Sequence, residues 1–229
     1  MRGPEDSLFS CRPRGKFLTA YDLAQRFGWR TFLDKIVPWV FVRRYVFCSK
    51  SISEPIPESP SAVPLRLELA TEKDLPALMA LRPHYYELQV LQKRMQEGHL
   101  CFLGWSLDSP IHVRWVFVKS LYLPYLHRTL LLSSKQVYFD EAYTSPEFRG
   151  RKIFSMAGNR VRLRLWELGY KSEISIFASW QACSQTLAAR IECEKVGEAK
   201  IVNWLGLRKF YWKGSIQNHG DGKISIFPS

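Results

Sequence analysis

Residues 138–154 read YFDEAYTSPEFRGRKIF, and this stretch decides how the rest of the chain is interpreted. Its first part has the composition of a β-strand, a proline follows, and an Arg-Gly-Arg-Lys cluster leads directly into an apolar-periodic segment. The order predicts a strand, a basic glycine turn and the N-terminus of a helix. Such a turn favours binding of a phosphorylated group, because the first amides of a helix lack intrahelical acceptors and lie at the positive end of its dipole.

The composition is that of a globular protein with a strong preference for anionic partners. Of 229 residues, 46% are apolar and 24% are charged, which excludes a disordered chain. The formal net charge of +12 predicts attraction to nucleic acid, a phosphorylated cofactor or an acidic membrane surface. Basic residues are spread through both halves and form no recognition motif, so we do not expect a nucleic-acid partner.

The cysteines and the apolar runs indicate in which cellular compartment the protein is expected. The five cysteines are odd in number and scattered, with no spacing that suits zinc, so we expect reduced thiols and no metal. No secretory h-region is visible, and the longest apolar run, residues 36–42, is far too short to span a bilayer. These features predict a cytoplasmic protein that does not cross a membrane.

Four segments are predicted along the chain. Residues 1–50 form a basic, aromatic extension that is mainly helical and ends in a short strand at residues 44–50. Residues 51–64 contain four prolines and form an extended linker. Residues 65–213 form the main domain, and residues 214–229 form a polar tail.

The main domain alternates between strand and helix patterns. Thr71 is expected to cap its first helix, and Gly169 to end the long one. The predicted strands are 65–70, 99–107, 111–119, 135–144, 173–179, 199–204 and 207–212, and the predicted helices are 72–82, 85–96, 152–168 and 183–196.

This order resembles the GNAT superfamily of acyl-CoA-dependent acyltransferases over Leu65 to Lys213. LRLELATEKDLPAL (65–78) is similar to the family's opening segment, TSPEFRGRKIF (144–154) to its V-x-P-x-x-R-G-x-G-x-G loop, and ECEKVGEAKIV (192–202) to its closing segment. The resemblance implies an α/β (α+β) fold with a mixed, bent central sheet flanked by helices. It also implies an N-acyltransferase that uses acetyl-CoA or another acyl-CoA as co-substrate and needs no metal.

The resemblance also implies which residues hold the co-substrate. The thioester would dock against the strand before the loop, and the pyrophosphate would bind at the loop. The chain departs from the family pattern at Lys152 and Phe154, where glycine is preferred, and this narrows the loop. The residues implied are Ala142, Thr144, Arg149, Gly150, Arg151, Lys152, Ile153 and Phe154.

Two carboxylates in the strand are candidate bases for deprotonating an amine. By strand alternation Asp140 and Glu141 point to opposite faces, and we favour Glu141 over Asp140. The alternative for each is a structural ion pair in a basic protein. The family's usual tyrosine acid falls at Cys193, so Tyr143 or solvent would protonate the leaving thiolate. Thr186 occupies a position where the family often has asparagine.

The acceptor and the N-terminal extension leave alternatives open. The resemblance implies direct acyl transfer to a small-molecule or lipid-linked amine, as in bacterial surface-polysaccharide gene clusters. The extension is either a hairpin packed on the main domain or an interfacial segment at anionic lipid on the inner face of the membrane. A rival to the enzyme is a catalytically silent module that binds CoA or a membrane surface. The oligomeric state is not indicated.

Overall fold

The computed structural model of the chain describes residues 42–53, 63–83, 85–180, 193–204 and 207–227. They fall into two compact units. The first unit comprises the described residues of 50–122 and 129–175, and the second those of 1–49, 123–128 and 176–229. The predicted helical extension up to residue 41, most of the linker and the predicted helix from residue 183 to 192 lie outside the described residues.

The predicted strands and helices of the first unit occur in the expected order. The strands are β1 Val42–Ser51, β2 Arg66–Leu69, β3 Leu100–Ser106, β4 Ser109–Phe117, β5 Ser120–Leu123, β6 Arg128–Leu131, β7 Gln136–Thr144, β8 Ser172–Ala178, β9 Glu194–Trp204, β10 Leu207–Gly214, β11 Ile216–Asn218 and β12 Lys223–Ile226. The α-helices are α1 Leu75–Leu81, α2 Leu88–Gln96 and α3 Ile153–Glu167, with 3-10 turns at Glu72–Asp74 and Pro146–Phe148.

The first unit is built on a mixed sheet in the order β8-β7-β4-β3-β2. Pairing is antiparallel between β2 and β3, between β3 and β4, and between β4 and β7. The pair formed by β7 and β8 is parallel. α3 connects these two parallel strands, as a crossover between parallel strands requires. The predicted α+β fold with a mixed sheet and helices is confirmed.

The helices of the first unit cover opposite faces of β4. The guanidinium of Arg94, in α2, lies 5.3 Å from the ring of Trp115. The ring of Phe154, in α3, lies 4.5 Å from the guanidinium of Arg114. Since consecutive strand residues point to opposite faces, α2 and α3 lie on different sides of the sheet. β4 is therefore buried on both faces, and its residues from Ile111 to Phe117 are all buried.

Local chemistry explains where two helices begin and end. Thr71 and Asp74 form a capping box before α1, in which the Thr71 amide donates to Asp74 Oδ2 at 2.8 Å. The apolar stripe predicted for α3 is buried at Ile153, Ala157, Val161 and Leu165, but its last member, Leu168, is exposed. Gly169 lies beyond the helix with a φ of +89°. That left-handed conformation is the one glycine adopts without strain at a helix C-terminus.

The second unit contains an antiparallel sheet in which β1 lies beside β9 and β9 beside β10. β1 begins within the predicted extension and pairs with β9 from Val42↔Val202 to Ser49↔Glu194. Tyr45 and Phe47 of β1 are buried. The end of the extension therefore contributes a strand to the second unit.

Two sequence predictions differ from the second unit. Residues 194–196, predicted as the end of a helix, begin β9, because pairing with β1 stabilises the extended conformation there. The predicted polar tail contains β11 and β12, which pair with each other and bury Ile216, Ile224 and Ile226. Strands of three and four residues present too few alternating positions to be recognised from sequence.

Candidate functional site

The basic glycine turn follows β7 as predicted and leads into α3. Pro146–Phe148 form a single 3-10 turn, Arg149 is extended, and Gly150 has a φ of +79°. A Cβ added at Gly150 would meet no atom within 4 Å, so the space beside the turn is open. The turn is held to the strand by Arg149, whose Nε donates to the carbonyl oxygen of Thr144 at 3.1 Å.

The N-terminus of α3 presents amides that the helix itself does not use. The first intrahelical bond runs from the Met156 amide to the Lys152 carbonyl oxygen at 3.1 Å. The amides of Ile153, Phe154 and Ser155 therefore have no intrahelical acceptor. Lys152 is the N-cap residue and makes no side-chain capping bond. These features fit a phosphate group, which accepts hydrogen bonds from such amides.

Lys152 and Phe154, which depart from the family pattern, differ in their exposure at the turn. Lys152 adopts the left-handed conformation, with a φ of 62°, and is exposed. A non-glycine residue is strained there by roughly 1–2 kcal/mol. Phe154 is half-buried, and its ring contacts Arg114 beneath the helix. The Phe154 side chain therefore packs into the first unit.

β7 continues beyond the point where its pairing with β8 ends. Within the described residues the two strands pair from Gln136↔Ser172 to Tyr138↔Ile174, and β7 extends to Thr144. The last residues of β7 pair with β4 on the other side, including Ala142 with Arg114 and Thr144 with His112. The β8-facing edge of β7 between Phe139 and Thr144 can therefore pair with an extended ligand.

A β-bulge lies in β7 at the two candidate bases. From Arg114 to Val116 the register advances two residues on β4, while on β7 it advances three, from Ala142 to Phe139. Asp140 and Glu141 are thus both opposite Trp115. Because a bulge re-aims side chains, the predicted alternation of the two carboxylates does not hold at this point.

Glu141 is the more completely satisfied of the two carboxylates. Arg94 Nη1 donates to its Oε2 at 2.9 Å and Arg94 Nη2 to its Oε1 at 3.3 Å. The hydroxyl of Tyr85 donates to Oε1 at 3.1 Å. The Glu141 side chain is only 6% exposed. These contacts are those of a structural ion pair, the alternative considered for this residue.

Asp140 has the electrostatic environment of a base that works near neutral pH. Burial raises the pKa of Asp140 from its ordinary value of 3.8 to about 7, and the neighbouring charge of Glu141 adds to the rise. Arg94 opposes the rise in the pKa of Asp140. A carboxyl group with such a pKa exchanges protons readily at pH 7. The contacts therefore favour Asp140 over Glu141 as the base.

Tyr143 has two arginine side chains close to its ring. The guanidinium of Arg82 is 4.7 Å from its ring centroid and that of Arg149 is 5.6 Å away. Both distances are within the range of cation–π attraction. The Tyr143 ring is therefore held in place at the end of β7, beside the glycine turn.

The sequence did not reveal the two side chains that contact Glu141 from a distant part of the chain. Arg94 and Tyr85 precede Glu141 by 47 and 56 positions. No local pattern marks them, since each sits among other polar residues of α2 or of the segment before it. Cys193 directly precedes β9 in the second unit, and Thr186 lies outside the described residues.

The described ranges contain neither a metal-binding cluster nor a membrane-spanning helix. They contain no group of three His, Cys, Asp or Glu side chains that could hold a metal ion. Within the same ranges, no helix is long and apolar enough to cross a membrane.

Comparisons with known proteins find structural likeness and no sequence relative. No protein-family model matches the chain. No curated protein matches it either. Among solved structures, the chain is similar to the aminoglycoside 6'-N-acetyltransferase AAC(6')-Ih from Acinetobacter baumannii, with 16% identity over 69% of this chain and 100% of that chain and a TM-score of 0.46.

Two further structures show a similar level of likeness. One is AAC(6')-Iy in complex with a bisubstrate analogue, CoA-S-monomethyl-acetylneamine, with 16% identity over 58% of this chain and 92% of that chain and a TM-score of 0.46. The other is a functionally unknown conserved protein from Staphylococcus epidermidis, with 9% identity and a TM-score of 0.45. The match covers 74% of this chain and 64% of the length of that protein. At these values the likeness carries no argument about activity.

Proposed function

We propose that the protein is an acyl-CoA-dependent N-acyltransferase that transfers an acyl group, acetyl in the first instance, directly to an amine in a ternary complex. One observation carries this proposal. A single strand, β7, holds a carboxyl group with a pKa near 7, leaves β8 at Tyr138, and leads into an open glycine turn at a helix N-terminus. A base, a free strand edge and a phosphate site thus lie along one segment.

The co-substrate would bind along this segment. Bound acyl-CoA supplies an activated thioester. The amides at the start of α3 would donate hydrogen bonds to its pyrophosphate, and Arg149, Arg151 and Lys152 would add positive charge around it. The free edge of β7 from Ala142 to Thr144 would hydrogen-bond the extended arm that leads to the thioester.

Proton transfer would depend on the β7 bulge. Asp140 would take the proton of the attacking ammonium group, so that the amine nitrogen can bond to the acyl carbon as the carbon–sulfur bond breaks. Glu141 and Arg94 would position the bulge through their bidentate ion pair. As the carbon–sulfur bond breaks, the departing thiolate would receive a proton from Tyr143 or from solvent, and the nitrogen would release its second proton to the resulting phenolate or to solvent. The loss of the base should lower turnover by about 10²–10⁴-fold.

The acceptor would be a small-molecule or lipid-linked amine, and the site of action the cytoplasm. The net charge of +12 is compatible with a further peripheral contact at anionic lipid on the inner face of the membrane. A role in bacterial surface-polysaccharide synthesis is part of this proposal and rests on the sequence resemblance alone. The four-segment domain division also stays a prediction, which rests on the proline content of residues 51–64 and on the extent of the resemblance.

The second candidate is a catalytically silent module that binds CoA or a membrane surface. It is favoured by Lys152 and Phe154, which replace glycines of the family loop, and by a left-handed Lys152 that costs stability. Binding of CoA without turnover would distinguish this module from the enzyme. Its loop would bind CoA, and replacing Asp140 would change the rate of no reaction.

CoA binding tests the phosphate site. Isothermal titration calorimetry at moderate salt should detect CoA binding to the wild-type protein, and Gly150→Asp should abolish it by adding bulk and a negative charge. Gly169→Asp is the matched control, since Gly169 also has a positive φ, of +89°, and open space for a Cβ at the other end of α3. Equal CoA affinity in the two variants would refute the assignment of the loop.

Turnover tests the reaction itself. A mass-spectrometric screen would combine acetyl-CoA and longer acyl-CoAs with candidate amines and detect acylated products. Products that form with the wild-type protein and fail to form with Asp140→Asn would support the enzyme. CoA binding with no product from any amine class would favour the silent module.

A further inference from the structure

The first unit contains a cluster of buried ionisable side chains beneath α3, separate from the Asp140 site. Arg114 and His112 lie two residues apart on β4, on the face that α3 covers. Arg162 is on α3 and Glu173 is on β8. All four are buried, with 4% exposure for Arg114 and 0% for His112.

Arg162 is fully accounted for by its neighbours. Its Nε and Nη2 donate to the two carboxylate oxygens of Glu173 at 2.6 and 2.8 Å. Its Nη1 donates to Asn159 Oδ1 at 3.1 Å. Both oxygens of Glu173, the single carboxylate of the cluster, are therefore hydrogen-bonded to Arg162 in a bidentate pair.

Arg114, by contrast, has donors with no acceptor. Its Nε and Nη2 are buried and have no hydrogen-bond partner in the part of the chain that the structure describes. Its guanidinium lies 4.5 Å from the ring of Phe154 and 5.2 Å from that of Phe139. Burial and the charge of Arg162 lower the pKa of Arg114 to about 10, so it remains a cation at neutral pH.

His112 adds a third unsatisfied group to the same place. Its Nδ1 lies 2.8 Å from Thr144 Oγ1, and its Nε2 is buried without a partner among the described residues. Burial and the charge of Arg114 lower the pKa of His112 to about 3, so the ring is neutral. When the Thr144 hydroxyl donates to Nδ1, the ring proton is on Nε2 and makes it a donor. Phe154 packs against this ring as well, at 6.4 Å between centroids.

The cluster therefore carries one buried positive charge in excess of its carboxylate. Leaving a buried charge and its donors unpaired is costly, whereas an anion that accepts their hydrogen bonds would remove the cost. Gly158 lies directly against the two arginines, because a Cβ there would be in van der Waals contact with the Nη1 atoms of both, at 3.6 Å.

We propose that Arg114 and His112 form a buried binding site for one carboxylate, covered by Phe154 in the first turn of α3. The carboxylate has two sources. It is either a small free carboxylate or the terminal carboxylate of an acyl group, since Arg114 and His112 pair with Ala142 and Thr144 of β7. The acyl source rests on the proposed acyltransferase function, and the free source does not.

Thermal unfolding in paired salts tests the site without any CoA. Sodium formate would replace sodium methanesulfonate at constant ionic strength, because the bulkier sulfonate does not fit a site closed by Phe154. The melting temperature of the wild-type protein should rise with formate, in proportion to the logarithm of its concentration once this exceeds an apparent dissociation constant on the order of millimolar. A melting temperature that does not respond, or that rises linearly with concentration as in a general salt effect, would overturn the proposal.

Arg114→Met assigns the effect, since it keeps the length of the side chain and removes its charge and donors. We expect formate affinity to fall by roughly tenfold or more in this variant. Arg164→Met is the matched control and should keep the wild-type response, because Arg164 is an exposed arginine on α3. An unchanged response in Arg114→Met would refute the site. If Arg114→Met does not fold, Arg114→Lys replaces it, since it keeps the charge and removes the Nε and Nη2 donors; it should also weaken formate binding, and an unchanged response would refute the site.

Calorimetry with succinyl-CoA and acetyl-CoA distinguishes the two sources. Tighter binding of succinyl-CoA that disappears in Arg114→Met would identify the acyl carboxylate. Equal binding of the two, together with a formate response that is lost in Arg114→Met, would identify a free carboxylate. If neither acyl-CoA binds while formate does, the proposed acyltransferase fails and the anion site stands.

Discussion

Replacing Asp140 by Asn should make the protein more stable and less active at the same pH. The carboxyl group is held in a bulge where burial and Glu141 raise its pKa to about 7, from 3.8. Above that pH the folded protein holds a charged carboxylate that its surroundings disfavour. The neutral amide of Asn removes this charge and also removes the proposed base.

The size of the effect follows from the two pKa values. The unfolded chain releases the Asp140 proton near pH 3.8 and the folded protein near pH 7. Between these values the folded state holds the additional proton, so wild-type stability falls by about 1.4 kcal/mol per pH unit as the pH rises, and no further above pH 7. From pH 5 to pH 8 this amounts to about 2–3 kcal/mol, which Asp140→Asn should not lose.

Urea unfolding at pH 5 and pH 8 measures the difference, with the wild type, Asp140→Asn and Glu147→Gln compared at each pH. Glu147 is an exposed carboxylate in the 3-10 turn after β7, and its amide variant should behave as the wild type. The stability gain of Asp140→Asn should be about 2–3 kcal/mol larger at pH 8 than at pH 5. The kcat/KM of the wild type should rise with pH along a titration curve whose midpoint lies near pH 7. Turnover by Asp140→Asn should be about 10²–10⁴-fold slower.

Equal gains at the two pH values would refute this reasoning. They would mean that the folded protein does not hold a proton on Asp140 between pH 5 and pH 7. A wild-type pH–rate profile without a midpoint in this range, combined with full turnover in Asp140→Asn, would remove Asp140 from the mechanism.

Glu141→Gln should lower the free energy of unfolding by about 1–3 kcal/mol, because it leaves the largely buried Arg94 without its carboxylate. The same change removes a negative charge beside Asp140, so the midpoint of the pH–rate profile should move below 7; an unmoved midpoint would contradict the coupling. Deleting residues 1–41 should leave β1 in place and the protein folded, whereas deleting 1–60 removes the buried Phe47 with β1 and should produce aggregates in size-exclusion chromatography. If the deleted segment is an interfacial anchor, the full-length protein should sediment with anionic liposomes and be released as salt rises, and the 1–41 deletion should not sediment at all.

Local residues were sufficient to predict the phosphate-binding candidate. The glycine turn and the apolar stripe of α3 are adjacent in sequence, and their conformations depend on backbone sterics and on a 3.6-residue period. The order of β2, β3, β4, β7 and β8 and of the three α-helices followed from the same periodicities, whereas β5 and β6 were not predicted. The presence of β11 and β12 within the predicted polar tail did not follow from periodicity, because these strands are too short to show a period.

Only the tertiary structure decided how the two carboxylates differ. Asp140 and Glu141 are neighbours of similar chemistry, and strand alternation favoured the wrong geometry because it cannot include a bulge. Their environments come from Arg94 and Tyr85, which belong to another part of the chain, and from burial, which depends on the whole unit. The excess charge at Arg114 has the same origin. A sequence records that an arginine is present, whereas the packing of α3 against β4 decides whether its donors find a partner.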